Sequence, residues 1–177
     1  MSEGEHVVTA ILAATSGELV SRVRFQKTAY LLRQLGVQCG FEYEYHHYGP
    51  YSRDLDNAIA DAKAFGLVEE DFGHRQSDGA MYSIFRLKPE AQEAGHAASV
   101  NGLDEKASEV ARTCANTNVT VLELAATAHW LAAVEACTDW ETEIRKRKGR
   151  KAEGGRLDRA LDLLRALNLP PAVPATS

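Results

Sequence analysis

The segment Val121–Cys137, VLELAATAHWLAAVEAC, offers water no continuous polar face. A helix that is apolar all round has to sit at the centre of a fold, with other elements arranged about it. Within it LAATAHWLAAVEAC is interrupted by His129 and Glu135 and is too short to span a bilayer. Thr120-x-x-Glu123 reads as a capping box that opens this helix. At 177 residues and 45% hydrophobic content, the chain can bury one good core and a second small helical unit around it.

Most other segments also read as helices. Residues 5–14 form a short apolar helix. In VRFQKTAYLLRQLG, Phe25, Ala29, Leu32 and Leu35 recur at helical spacing and Gly36 stops the run. The polar face of that helix shows Arg24, Gln26, Lys27 and Arg33. FEYEYH alternates with period two and predicts a half-buried strand over 41–46. Gly49-Pro50 then breaks the chain, and Ser52 caps a helix that buries Leu55, Ala58, Ile59, Ala62 and Phe65. LVEEDF and AMYSIFRL flank the turn-rich GHRQSDG as a hairpin, and Pro89 opens another helix.

Downstream, Leu103, Ala107, Val110, Ala111 and Cys114 form one stripe. Asp139 can cap WETEIRKRK, and Leu157, Ala160, Leu161, Leu164 and Leu167 define a last amphipathic helix. The expected fold is mainly α with a small antiparallel β-sheet. A winged-helix-like N-terminal half, residues 1–98, packs on a C-terminal helical part, residues 99–170, as one compact unit; MSEGE frays and 171–177 is a disordered tail.

Glu3 and Glu5 stand where an export signal needs positive charge, and the apolar run after them is short. Cys39, Cys114 and Cys137 are odd in number and have no CxxC pair, so they read as buried small hydrophobes in a reducing compartment. A cytoplasmic protein without a membrane partner is expected. The net charge of −5 argues against a general polyanion binder, yet it is uneven: 12 acidic and 5 basic residues lie between 54 and 109, and 9 basic against 3 acidic between 145 and 165. Such a split suits oriented contact with a partner.

The chemistry-bearing residues crowd into FEYEYHHYGPYSRD. On a strand His46 and His47 point to opposite faces and do not converge on one ion, so no metal is expected. His47 with Asp54 or Tyr51 could transfer protons, but no GxSxG, HExxH or phosphate-binding glycine loop completes a catalytic site. No catalytic residue and no cofactor are assigned. Tyr48 and Tyr51 flank the turn and combine apolar area with a polar handle, the chemistry of interface anchors. Nucleic acid is the alternative partner, through Arg24 and Lys27 and the run Arg145, Lys146, Arg147, Lys148, Arg150 and Lys151.

Gln26, Lys27, Tyr30 and Leu31, followed by Tyr48, Gly49, Pro50, Tyr51, Ser52 and Leu55, carry a resemblance. The chain resembles the YwgA-type family of uncharacterised bacterial proteins, with a helix of the form LQKLxYLL and a turn of the form YHYGPYSxxL. Here Phe25 and Thr28 depart from that pattern. More remotely it is similar to the Panacea domain, found in antitoxins of many toxin–antitoxin pairs. The resemblance implies a small intracellular helical protein that neutralises or recruits a partner protein, such as a toxin, and it brings no catalytic residues. Tyr48, Tyr51, Arg53, Lys27 and Tyr30 are the expected partner contacts, DNA binding is the alternative, and a homodimer is compatible with either.

Overall fold

A computed structural model describes residues 2–93 and 102–173. Eight α-helices and five β-strands are described: α1 (Glu3–Ala14), β1 (Glu18–Val20), α2 (Arg22–Gln34), β2 (Glu44–His46), β3 (Gly49–Tyr51), α3 (Arg53–Ala64), β4 (Val68–His74), β5 (Met81–Leu87), α4 (Pro89–Glu93), α5 (Glu105–Asn116), α6 (Val119–His129), α7 (Trp140–Lys148) and α8 (Arg156–Ala166). The fold is mainly helical with a small antiparallel sheet, as the sequence pattern requires. The sheet has the order β1-β5-β4, with Glu18 opposite Arg86 and Val68 opposite Leu87. The strand β1 is the third strand of that sheet, added beside β5. The expected boundary at 98/99 lies outside the described residues.

The central helix is α6. All its residues from Val121 onward are buried, and it packs against α2, α7 and α8. Beyond His129 the helix widens into a π turn, Trp130–Val134, with only Leu131 still buried. One apolar cluster runs from Val7 and Ile11 of α1 through Phe25 and Leu31 of α2 to Leu157 and Leu164 of α8, so both halves share a core.

Several local readings change. The stretch 41–46 alternates in burial, but only Glu44–His46 pairs, and it pairs with Gly49–Tyr51. Gly49-Pro50 is therefore the returning strand of a tight hairpin, with His47 and Tyr48 as its turn. Pro50 is tolerated because a two-stranded ribbon leaves its missing donor on an edge. Ser52 does cap α3, accepting from Leu55 N. Phe65 is exposed, because it lies past the last turn of α3 and Leu67 takes the core place. The cap of α6 is Asn118, whose Oδ1 accepts from Thr120 N and Val121 N, and Glu123 is freed for another role. Asp139 occupies the N-cap position of α7 but makes no capping bond. The N-terminus is helical from Glu3, with Gly4 and Glu5 buried. Residues 171–173 form a turn with Ala172 against the core, whereas 174–177 lie outside the described residues.

Candidate functional site

The residues that carried the resemblance meet inside the protein. α2 runs beneath the β2–β3 hairpin, and its polar side chains read the hairpin's backbone. Gln26 Nε2 donates to Ser52 O at 2.8 Å and to Asp56 Oδ1 at 3.0 Å, while Ser52 N donates to Gln26 Oε1 at 2.9 Å. Lys27 Nζ donates to Pro50 O at 2.6 Å. Tyr30 Oη and His129 Nδ1 are hydrogen-bonded at 2.7 Å. From the opposite side Lys148 Nζ donates to His47 O at 3.1 Å and to Glu123 Oε1 at 2.9 Å. Lys151 Nζ reaches both oxygens of Glu123 at 3.1 Å. The hairpin is thus latched between α2, α6 and the end of α7.

Gly49 is what lets the hairpin come so close. Its φ is +91°, and a β-carbon there would stand 2.5 Å from Thr127 Oγ1. Both the conformation and the space demand glycine. Thr127 Oγ1 is buried without a hydrogen-bond partner, directly under this contact.

Charge in the latch is unbalanced. Glu123 is 4% exposed and is the carboxylate on which Lys148 and Lys151 converge, with Lys27 nearby. Burial pushes the Lys27 ammonium down to about 7; Glu123 opposes the shift and the neighbouring lysines reinforce it. Lys148 is lowered by burial too, against the pull of Glu123. Burial likewise lowers His129 to about 4 and raises the Tyr30 hydroxyl, so this pair is neutral at ordinary pH. Burial raises the thiol of Cys114 to about 12, and it raises Cys39 as well, so both are inert.

The Lys27 shift has a measurable sign. Between about 7 and the ordinary lysine value of 10.5, the unfolded chain holds a proton that the folded chain has released. Stability contributed by this group is full above that window and lost as pH falls through it. The thermal midpoint of the wild type minus that of Lys27→Met should therefore rise with pH across the window. A flat difference would show that Lys27 stays charged in the fold.

Two expected partner contacts are corrected. Lys27 and Tyr30 are each only 1% exposed, so neither side chain reaches a partner. They read as available for contact because the hairpin and α6 that cover them are remote in sequence. Tyr48 is 49% exposed at the hairpin tip, with its ring 4.9 Å from Lys151 Nζ. Tyr51 is half-buried and donates to Asp56 Oδ2 at 2.7 Å, which raises its hydroxyl pKa. Arg53 is exposed at the start of α3. His46 bonds Glu44 and stacks on Tyr51, and His47 lies edge-on to Tyr48. Among the described residues no group of three or more His, Cys, Asp or Glu is placed to hold a metal, and no helix is long and apolar enough to cross a membrane.

The basic run is also broken up. Lys148 is buried, so its expected contact with nucleic acid is corrected. Arg147 is pinned by Glu135 and Glu143, which raises its pKa, and its guanidinium lies 4.7 Å from the Tyr45 ring centre. Arg145, Lys146 and Arg150 are exposed and make no ion pair among the described residues. Arg24 is half-buried and donates to two carbonyls, Val20 O at 2.9 Å and Thr117 O at 2.8 Å. Sequence reasoning missed Glu123, Thr127 and Gln26 as parts of this site. The available signal was Glu123 and Thr127 at i and i+4, two polar residues on one face of an otherwise apolar helix.

Fold and latch together define a mainly helical chain whose buried polar residues fix an exposed hairpin tip. No protein-family model matches the chain. It is 31% identical over 127 residues to a DNA ADP-ribosyl glycohydrolase of Thermus aquaticus, a match covering 70% of this chain and 34% of that protein. It is 30% identical over 66 residues to the uncharacterized protein YwgA of Bacillus subtilis, covering 37% of this chain and 40% of that one. The second match supports a distant YwgA-type relationship. In both cases the match spans well under two thirds of the relative's length.

Proposed function

We propose that this chain is a non-catalytic protein-binding module that neutralises or recruits a partner protein, in the manner of an antitoxin. The observation that carries the reading is the division of labour at the hairpin. The unusual residues are spent inside, on holding the backbone, while Tyr48 and Arg53 face outward from a rigid support. A preorganised aromatic beside a cation loses little entropy on binding and suits an interface anchor. The remote Panacea likeness, carried by Gln26, Lys27, Tyr30 and the Gly49-Pro50 turn, favours the same reading.

The glycohydrolase likeness places an enzyme among the relatives, but the match takes in about a third of that protein. In this chain Lys27 and His129, the two bases that burial holds well below their ordinary pKa values, are walled off from solvent, a poor arrangement for chemistry on a substrate. The tagged chain, expressed in its native host, should retrieve one stoichiometric protein, and the pair should re-form from purified components. Tyr48→Ala and Arg53→Glu should each weaken that complex by about tenfold or more with the melting temperature unchanged. Failure to retrieve any stoichiometric partner, or release of ADP-ribose from modified DNA by the chain alone, would overturn the reading.

A further inference from the structure

Between the two hairpins lies a groove of about 610 Å³ that borders the latch and shares Glu123 and Lys151 with it. The tip of β2–β3 supplies Tyr48 on one wall, and the tip of β4–β5 supplies Arg75, Met81 and Tyr82 on the other. The floor is formed by the starts of α2 and α6, including Val23, Arg24 and Glu123, and Lys151 stands at the rim. Met81 is 63% exposed, so that wall offers apolar surface to a ligand.

The groove is cationic within an acidic protein. Lys148 and Lys151 share the single carboxylate of Glu123, which leaves one positive charge unmatched. Arg24 adds a second, since carbonyls alone satisfy its guanidinium and its Nε has no partner. The Arg75 charge is already matched by Asp78, with a 2.7 Å bond. Apolar walls with two unmatched cations call for a ligand that brings carboxylates and apolar side chains together.

Resting on the binding-module reading, we infer that this groove receives a short acidic, aromatic-containing segment of the partner protein. Its carboxylates would meet Lys151 and Arg24, and its ring would lie between Tyr48 and Met81. A nucleic-acid strand fits less well. Every nucleotide brings a phosphate charge, whereas the two unmatched cations of the groove sit in a protein of net charge −5 that repels a longer polyanion. A peptide carries charge only where its side chains put it.

The test uses the full chain and three fluorescein-labelled probes at low salt: the capped peptide Glu-Phe-Glu-Glu-Phe-Glu, its lysine-for-glutamate counterpart, and oligothymidylate. Anisotropy should show the acidic peptide binding about tenfold or more tighter than either other probe. Arg75→Glu and Met81→Asp, both exposed, should each reduce that binding by about fivefold or more, and Lys146→Glu on α7 should leave it unchanged. Preference for oligothymidylate, equal binding of the lysine peptide, no binding at all, or equal loss with Lys146→Glu would each overturn the inference. The Arg75 and Met81 variants also separate it from the broader reading. If they keep full affinity for the retrieved partner while Tyr48→Ala and Arg53→Glu lose it, the module stands and the groove falls.

Discussion

Replacing Glu123 with alanine should lower the stability of the fold by about 3–5 kcal/mol, the usual cost of removing one member of a buried ion pair. Glu123 is the carboxylate on which Lys148 and Lys151 converge. Lys151 can swing to solvent, but Lys148 is held inside with His47 O as its remaining acceptor. Lys27 would lose the one nearby charge that favours its ammonium form. Denaturant unfolding should show the loss, and it should shrink at higher pH as the lysines neutralise. The double variant Glu123→Ala with Lys148→Met should recover much of it, because removing both members of a pair leaves no bare charge. A single-variant loss below about 1 kcal/mol would mean that water reaches the cluster and screens it.

The second large effect belongs to Gly49→Ala. A positive φ costs a non-glycine residue about 1–2 kcal/mol, and forcing a methyl into a packed site costs about 1–3 kcal/mol more. The obstruction is Thr127 Oγ1, 2.5 Å from the added carbon. Adding Thr127→Ala should therefore relieve the steric part and leave the conformational part. On its own, Thr127→Ala should be close to neutral, since the hydroxyl it removes is buried without a partner. Equal losses for Gly49→Ala with and without the threonine would show that the hairpin does not sit against α6 as closely as described. Because the hairpin tip carries Tyr48, Gly49→Ala should also reduce partner binding, a loss that Thr127→Ala should partly restore.

Elements with short-range causes were legible in the sequence. Ser52 and the stripe Leu55, Ala58, Ile59 and Ala62 specify α3, because a cap and a periodicity act within a few residues. The β4–β5 hairpin is legible for the same reason, with its turn residues between two strand-like runs. The strand β1 is three residues long and carries no pattern of its own; it is a strand only because β5 lies beside it. The capping-box reading of Thr120-x-x-Glu123 failed because Asn118, two residues earlier, starts the helix and caps it instead.

The candidate site divides along the same line. That Tyr48 and Arg53 face outward could be read from turn chemistry alone. Lys27 could not be placed this way, because a lysine on a helix face looks solvated until its surroundings are known. What buries it is a carbonyl 23 residues away in sequence and a helix nearly a hundred residues downstream. The sequence by itself determined which segments are helices and which helix is central, since periodicity and caps are local properties of the chain. Only the tertiary structure decided which polar residues are surface and which are latch, because the burial of a charge depends on distant segments that close over it and on a counter-charge brought with them.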